Sequence, residues 1–201
     1  MPSTPLIPLI LASASPRRRE LLSKAGVVFS IVPSRTTEEV WPAEAPKDYV
    51  VRVAEEKARE VATRHAHAWI LAADTIVEID ETILGKPRDE ADGSRMLQLL
   101  SGRRHHVMTA FIILHAERQE TVRQLVTSTV TFKTLSEAQI MAYLATGEPA
   151  DKAGAYAVQG LGGELVQGVA GSYTNVVGLP MDELLSALQT LGIVETKSDE
   201  S

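Results

Sequence analysis

The segment from Ile7 to Ala12 limits the possible folds more than any other part of the chain. It is a continuous apolar run, and a run of this length suits a strand that is buried on both faces. A helix is predicted directly after it, because Ser15 can act as its N-cap and Pro16 fits the first helical position. Gly26 predicts the end of this helix. The chain therefore begins with a strand–loop–helix unit, which indicates an α/β fold.

The remaining elements are predicted from hydrophobic periodicity, capping residues and turn residues. These patterns predict helices at 47–64, 89–100, 136–145 and 180–192, and strands at 29–32, 69–79, 83–84, 106–114 and 121–132. The glycine-rich segment 151–178 is expected to contribute two further short strands and tight loops. Crossovers and hairpins are mixed in this order, so we expect one twisted mixed sheet flanked by helices. A single domain is expected over 1–194, followed by a polar tail at 195–201.

Composition argues against several classes of function. No apolar run reaches the roughly 18 residues of a membrane span, and the N-terminal apolar run lacks the basic start of a signal peptide, so we expect a soluble cytoplasmic protein. The absence of cysteine rules out thiolate catalysis and suits a reducing compartment. A net charge of −6 argues against a broad nucleic-acid surface. Any phosphate must therefore be bound by a few locally placed cations.

The loop that joins the first strand to the first helix is the first candidate site. A helix N-terminus offers unpaired N–H groups and the positive end of the helix dipole, and nearby hydroxyl and guanidinium groups would complete an anion site. Ser13, Ser15 and Arg17 are predicted to contact a phosphate. Arg17 is preferred to Arg18 and Arg19 because successive helix residues diverge by about 100° and Arg17 is nearest the loop. The alternative is that Ser15 is only a helix cap and that the arginines face solvent.

Asp74 is the second candidate, because it lies within the apolar strand predicted at 69–79. A carboxylate in such a strand is costly unless a proton, a cation or strong hydrogen-bond donors accompany it. Lys57 of the preceding helix and Lys86, in a Gly-Lys-Pro turn, are both able to bring an ammonium group beside it. Asp74 is therefore either a structural hydrogen-bonding residue or a metal ligand or general base.

Gln159 is the third candidate, and it follows a short strand predicted after Lys152. Its amide can pair with the edge of a nucleobase because it offers both a donor and an acceptor, although an ordinary loop glutamine fits the same pattern. The sequence contains no P-loop, no serine-hydrolase elbow and no dinucleotide-binding motif after the first strand. Other familiar nucleotide and ester chemistries are therefore not indicated.

Several motifs, taken together and in order, resemble those of the Maf family of nucleotide pyrophosphatases. They are LASASPRR at 11–18, AADT at 72–75, LGKP at 84–87, LSGR at 100–103, DKAGAY at 151–156 and GSYTNVVGLP at 171–180. The resemblance runs from about Leu9 to Gly192, and several motifs in register are far more specific than any one alone. It implies a fold similar to the inosine triphosphate pyrophosphatases, in which an elongated mixed sheet forms two lobes with a central cleft. It also implies a homodimer.

The resemblance further implies roles for individual residues. Asp74 matches the family's general base, Arg17 its phosphate-contacting arginine and Glu38 its metal-binding glutamate. The residues that match the family's cleft lysines and specificity positions are Lys57, Lys86, Lys152, Thr75 and Gln159. Relatives usually carry an acidic stretch before the second helix, whereas this chain has RTTE at 35–38, so only the last carboxylate remains. Glu39 is the alternative to it.

The implied reaction is hydrolysis of a nucleoside triphosphate between its α and β phosphates, with a magnesium or manganese ion bound by Asp74 and Glu38. A glutamine at position 159 is similar to the branch that acts on dTTP and UTP, whereas the branch acting on 7-methylguanosine triphosphate carries glutamate there. The implied role is removal of modified nucleotides, with a link to cell division arrest. The alternative from another class of function is a non-catalytic, nucleotide-binding regulator of septum formation. The presence of Asp74, Lys57 and Lys86 argues against it, because a protein that only binds nucleotides does not need a general base.

Overall fold

A computed structural model of the chain describes residues 7–194, so the predicted tail at 195–201 lies outside the described residues. The strands are β1 (Leu9–Leu11), β2 (Ser30–Ile31), β3 (Trp69–Ile79), β4 (Thr82–Leu84), β5 (Arg104–His115), β6 (Glu120–Phe132) and β7 (Val166–Ala170). The helices are α1 (Pro16–Lys24), α2 (Pro46–Ala62), α3 (Glu90–Leu100), α4 (Glu137–Leu144), α5 (Tyr173–Val177) and α6 (Met181–Thr190). Among the described residues, no helix is both long and apolar enough to cross a membrane.

The described strands form one mixed sheet in the order β2-β1-β3-β5-β6-β7, with β4 also paired to β3. β1 is parallel to both β2 and β3, while the other pairs are antiparallel. The parallel part is made by the two crossovers through α1 and α2, whereas the antiparallel part combines the β3–β4 and β5–β6 hairpins with longer connections that contain α3 and α4. The predicted mixed sheet is therefore confirmed.

Local capping explains where most of the predicted helices begin. The Ser15 hydroxyl accepts a hydrogen bond from the Arg18 N–H at 3.4 Å, and the Asp89 carboxylate accepts one from the Asp92 N–H at 2.8 Å. Ser136 begins α4 with a capping box, in which Gln139 bonds back to the Ser136 N–H. These side chains satisfy N–H groups that have no partner within their own helix. The predicted helices at these three positions are confirmed.

The buried apolar side chains form three clusters that divide the sheet into two lobes. In one lobe, α2 covers one face of the sheet, and α1 and α6 cover the other. In the second lobe, α3 and α4 pack on the far ends of β3, β5 and β6. β1 ends at Leu11, whereas β3 continues to Ile79, so the central strand passes from one lobe into the other.

The glycine-rich segment 151–178 differs from its prediction. Tight 3₁₀ turns at Glu148–Asp151, Ala153–Ala155 and Leu161–Leu165 replace the first expected strand, and only β7 and the short helix α5 follow. Gly154 and Ala155 both have positive φ, at 68° and 57°, which an extended strand does not allow. The strand predicted before Gln159 is therefore wrong, and Gln159 lies in a loop instead.

Candidate active site

A gap in the hydrogen-bonding ladder of β3 marks the candidate site. On one edge, β3 pairs with β1 over Trp69–Leu71 and with β4 over Val77–Ile79, while β5 covers the other edge continuously. The residues between these two pairings, 72–76, therefore have no strand neighbour on that edge. The chain leaving β1 and the loops of both lobes surround this gap. It is the floor of a cleft with a cavity of about 350 Å³, a volume suited to a small-molecule ligand.

The pleat of β3 places two neighbouring polar residues on opposite faces of the sheet. Successive strand residues point to opposite sides, so Asp74 shares the side of α2 and Thr75 the side of α1. Asp74 is only 6% exposed and meets Lys57 of α2, while Thr75 meets Arg18 of α1. Both residues line the cleft, as predicted from the sequence.

Lys57 joins two carboxylates that come from distant parts of the chain. Its Nζ lies 2.7 Å from Asp74 Oδ1 and 2.6 Å from Glu38 Oε1, and it is only 8% exposed. Burial by itself raises the pKa of Glu38, but the nearby charges of Lys57, Lys86 and Arg18 lower that pKa overall. The cleft therefore presents two converging carboxylates that Lys57 holds together.

Few side chains near Lys57 are able to bind a metal ion. Within the described part of the chain, no group of three or more His, Cys, Asp or Glu side chains is arranged to hold a metal ion. Glu38 shares an ammonium group with Asp74, whereas the alternative Glu39 does not line the cleft. Two carboxylates suit a magnesium-type ion only if waters or ligand oxygens complete its shell.

Arg18 is a buried residue that the sequence prediction did not select. Its Nε donates to the Gly178 carbonyl at 2.8 Å, its Nη1 to the Ala73 carbonyl at 2.8 Å and to Ser13 Oγ at 3.1 Å, and its Nη2 to Thr75 Oγ1 at 3.0 Å. The Ala73 carbonyl lies in the ladder gap, so a guanidinium replaces the missing strand there. Arg18 thus ties α1, β3 and the end of α5 together. The alternative that all three arginines face solvent is wrong for Arg18, which is 8% exposed.

Hydrogen bonds from Arg18 also fix how the hydroxyls of Thr75 and Ser13 are oriented. Thr75 Oγ1 accepts from Arg18, and its proton has two acceptors within the protein, Thr109 Oγ1 at 2.9 Å and the Gly178 carbonyl at 3.4 Å. Ser13 Oγ accepts from both Arg18 and the Ser15 N–H. The Ser13 proton therefore remains able to donate to an anion in the cleft.

The junction between β1 and α1 has the features expected of an anion site. In the described residues, the N–H groups of Ser13, Ala14 and Arg17 have no hydrogen-bond acceptor, and all three residues line the cleft. Ser15 caps α1, which is the role that the alternative interpretation of the sequence gave it. A turn that caps a helix can also bind an anion, so the two roles are compatible. Arg17 is partly exposed on the cleft wall and makes no ion pair among the described residues.

The other predicted residues reach the cleft from the second lobe. Lys86, Lys152 and Gln159 all line it, Lys86 from the turn after β4 and the other two from the loops between α4 and β7. Lys152 forms an ion pair with Asp151, and Gln159 makes no side-chain hydrogen bond within the described part of the chain. The structure therefore brings all ten predicted site residues to one cleft, from both lobes.

Arg52 of α2 anchors the loop that carries Glu38. It donates to the Glu39 carbonyl at 2.8 Å and to the Glu44 carboxylate at 2.6 and 2.7 Å, and its guanidinium lies 3.9 Å from the centre of the Trp41 ring. Tyr49 adds a hydrogen bond to the Glu38 carbonyl at 3.3 Å. Two residues of α2 thus fix the loop backbone at Glu38 and Glu39, while Lys57 of the same helix holds the Glu38 side chain.

We expect Arg52→Ala to loosen this loop, with a loss of about 1–2 kcal/mol of local stability from the stacking and ion-pair contacts. Collisional quenching of tryptophan fluorescence should increase, because Trp41 is 55% exposed and Trp69 only 2%, so that quenching reports mainly on Trp41. Arg59→Ala is the matched control, since Arg59 lies on the same helix and pairs with Glu55. Equal quenching in the two variants would contradict the anchoring role.

A sequence signal could have identified Arg18 but not Arg52. Arg18 lies four residues before Leu22, which is fully buried, and residues four apart share one face of a helix. Arg18 has leucines both three and four residues later, whereas Arg17 and Arg19 each have only one, so helical spacing favours Arg18 as the arginine that turns inward. Arg52 acts on an irregular loop, where no periodic pattern relates the helix to its contacts.

Known proteins are similar to this chain along nearly all of its described residues. A family model for Maf-like proteins matches residues 8–191. A dTTP/UTP pyrophosphatase of Citrifermentans bemidjiense is 50% identical over 184 residues, which cover 92% of this chain and 95% of that protein. A dTTP/UTP pyrophosphatase of Myxococcus xanthus is 49% identical over 185 residues, with coverages of 92% and 93%.

A solved structure supports the fold independently of close sequence similarity. The structure of a HAM1 protein from Coxiella burnetii matches 94% of this chain and 100% of its own, with a TM-score of 0.56 at 15% identity. The expected fold class, a mixed sheet with two lobes and a central cleft, is therefore confirmed. Because the family model covers residues 8–191 and relatives reach 50% identity over 92% of the chain, the protein belongs to the Maf family.

Proposed function

We propose that the protein hydrolyses nucleoside triphosphates between the α and β phosphates and releases a nucleoside monophosphate and pyrophosphate. The observation that carries this proposal is Asp74, a buried carboxylate in the ladder gap, surrounded by cations from both lobes. The relatives named dTTP/UTP pyrophosphatases support dTTP and UTP as the substrates. Such a reaction needs a base for water and cations for the phosphates, and the cleft contains both.

In this mechanism, Asp74 accepts the proton of the attacking water. The water oxygen forms a bond to the α phosphorus, the bond from that phosphorus to the bridging oxygen breaks, and pyrophosphate leaves. Lys57 holds Asp74 through the 2.7 Å contact and so fixes the direction of its carboxylate. A positioned general base typically contributes about 10²–10⁴-fold to a rate.

The phosphate chain is bound by groups at the N-terminus of α1 and by lysines of the second lobe. The free N–H groups of Ser13, Ala14 and Arg17, the Ser13 hydroxyl and the Arg17 guanidinium form one side of this site. Lys86 and Lys152 lie on the other side and offset the charge that develops on departing pyrophosphate. The backbone N–H groups and the Ser13 hydroxyl are held at the β1–α1 junction before the substrate binds, so little reorganisation of these groups is needed during the reaction.

A divalent metal ion, Mg²⁺ or Mn²⁺, forms part of the proposal. Asp74 and Glu38 are the residues that would hold it, since their carboxylates converge on Lys57 and hard oxygen ligands suit these ions. When bound, the ion supplies charge neutralisation for the triphosphate and favours ionisation of water. Two protein carboxylates leave the rest of its shell to phosphate oxygens and water.

Gln159 is proposed to select the base, because it lines the cleft and its amide offers both a donor and an acceptor. Thr75 also lines the cleft, and its hydroxyl proton has acceptors within the protein, Thr109 and the Gly178 carbonyl. Partners and location complete the proposal, namely a homodimer in the cytoplasm that acts on free nucleotides rather than on nucleic acid.

We expect pyrophosphate release with dTTP and UTP when the protein is assayed with a panel of canonical and modified triphosphates. Gln159→Glu should lower kcat/KM for dTTP and UTP by about tenfold or more, because it replaces an amide donor with a negative charge. Gln159→Asn keeps the amide but shortens its reach, and serves as the matched variant.

Other results of the same panel would favour the alternatives. Preference for 7-methylguanosine triphosphate would replace the proposed substrate while keeping the reaction. Nucleotide binding without pyrophosphate release from any triphosphate would reject the enzyme and favour the non-catalytic regulator.

A further inference from the structure

Two side chains outside the cleft hold the loop that carries Gln159. Tyr143 lies at the end of α4, and Glu148 begins the 3₁₀ turn that follows it. The Glu148 carboxylate accepts hydrogen bonds from the Leu161 N–H at 3.1 Å and the Gly162 N–H at 2.9 Å. These contacts fix the backbone directly after Gln159.

The other end of the loop is fixed by the same pair. The Tyr143 hydroxyl accepts a hydrogen bond from the Ala157 N–H at 3.1 Å and donates one to Glu148 Oε1 at 2.8 Å. Tyr143 and Glu148 are therefore joined to each other, and together they bind the backbone of residue 157 before Gln159 and of residues 161 and 162 after it. Only Val158, Gln159 and Gly160 lie between these two sets of contacts.

The charge state of Glu148 suits this role. Burial raises the pKa of Glu148, but the hydrogen bonds from the Gly162 N–H, the Tyr143 hydroxyl and the Leu161 N–H lower it overall. The group is therefore a carboxylate at neutral pH. An ionised carboxylate accepts stronger hydrogen bonds from backbone N–H groups than a neutral acceptor does.

The loop backbone packs closely against the side chains of Tyr143 and Glu148. A Cβ atom on Gly160 would lie 2.6 Å from Glu148 Oε2, and one on Gly162 would lie 2.4 Å from the Tyr143 hydroxyl. Gly160 also has a φ of 88°, which L-residues rarely adopt. The backbone at both positions therefore approaches the two side chains more closely than any residue other than glycine allows.

From these contacts we infer that Tyr143 and Glu148 are positioning residues for base selection, which they exert by holding Gln159 in the cleft. The inference rests on the proposed function, because it takes Gln159 as the residue that contacts the base. Neither side chain lines the cleft, so their effect on the substrate passes through the loop. Hydrogen bonds from a side chain that must be aligned with a base edge lose strength quickly when their geometry is loosened.

The test is the ratio of kcat/KM for dTTP to kcat/KM for dGTP, measured for wild type and variants. We expect Glu148→Ala to lower this ratio about tenfold, the effect of one lost hydrogen bond to the base. Tyr143→Phe, which removes only the hydroxyl, should lower it by a smaller factor. Glu148→Gln, which keeps one carbonyl acceptor, should restore part of the loss.

A double-mutant cycle separates positioning from general destabilisation. In a Gln159→Ala background, Glu148→Ala should leave the ratio unchanged, because the group it positions is absent. Glu164→Ala is the matched control, since Glu164 lies on the Leu161–Leu165 turn that Glu148 binds and its carboxylate makes no hydrogen bond in the described part of the chain.

Two results would overturn the inference, and they are distinguishable. If wild type releases pyrophosphate but the ratio is unchanged in folded Glu148→Ala and Tyr143→Phe, or falls equally with and without Gln159, the positioning role is rejected and the proposed function stands. If wild type releases no pyrophosphate from any triphosphate, the proposed function is rejected, and the positioning role with it.

Discussion

Asp74→Asn is expected to lower kcat for pyrophosphate release by about 10²–10⁴-fold, the loss typical of removing a general base. Asparagine has nearly the same shape, and its carbonyl oxygen can still accept the hydrogen bond from Lys57 that Asp74 Oδ1 accepts at 2.7 Å. The variant should therefore fold and bind nucleotide, because the groups at the N-terminus of α1 are untouched. Steady-state pyrophosphate release and calorimetric nucleotide binding measure the two effects separately.

Glu78→Gln is the matched control for this variant. Glu78 lies four residues later on β3, on the same face, and is similarly buried, but its carboxylate contacts His106 and does not line the cleft. We expect kcat to stay near the wild-type value. Turnover by Asp74→Asn within a few-fold of wild type would reject the assignment of the base, whereas loss of nucleotide binding would indicate a role in binding instead.

Most of the fold could be predicted from the sequence because its signals are local. Ser15, Asp89 and Ser136 cap their helices as predicted, and the strongly β-forming segments β5 and β6 form the long antiparallel pair. Each of these elements is determined by hydrogen bonds and side-chain periodicity within about ten residues. The sequence around each of these elements is therefore enough to predict it.

The segment 151–178 could not be predicted in the same way, because long-range contacts determine it. Gly154 donates its N–H to the Gly85 carbonyl, and a Cβ atom added to it would lie 2.9 Å from the side chain of Val77. The turn at 161–165 depends on Glu148. The glycine content predicted tight loops in this segment. The residues whose contacts favour 3₁₀ turns over strands there, Val77, Gly85 and Glu148, lie outside it in the sequence.

The candidate site likewise combines features that the local sequence predicts with features that depend on long-range contacts. Asp74 was identified because a carboxylate within an apolar strand requires an explanation. Lys57 was one of two candidate partners, and only the packing of α2 on β3 shows that it, rather than Lys86, contacts Asp74. Where the chain departs from the family's acidic stretch at 35–38, the remaining glutamate, Glu38, contacts Lys57. Distances between elements decide such questions, and a sequence pattern does not contain them.

Arg17 and Arg18, although adjacent, are expected to respond to the same substitution in opposite ways. Arg18→Met should lower the free energy of unfolding by about 3 kcal/mol or more, because it leaves the carbonyls of Ala73 and Gly178 without their donor. Burial lowers the pKa of Arg18, whereas the charges of Asp74 and Glu38 raise it, so the guanidinium depends on its surroundings to remain buried and charged. A loss of this size is a large part of the 5–15 kcal/mol typical of a folded domain.

Arg17→Met removes a side chain that makes no ion pair within the described residues, and its effect on unfolding should stay within about 0.5 kcal/mol. Its effect should fall on the substrate instead, with KM for dTTP raised about tenfold to a hundredfold by loss of a charged hydrogen bond to phosphate. Denaturant unfolding and steady-state kinetics on both variants provide the comparison. Similar losses of stability in the two variants would show that Arg18 does not tie the cleft together, and an unchanged KM in Arg17→Met would remove Arg17 from the phosphate site.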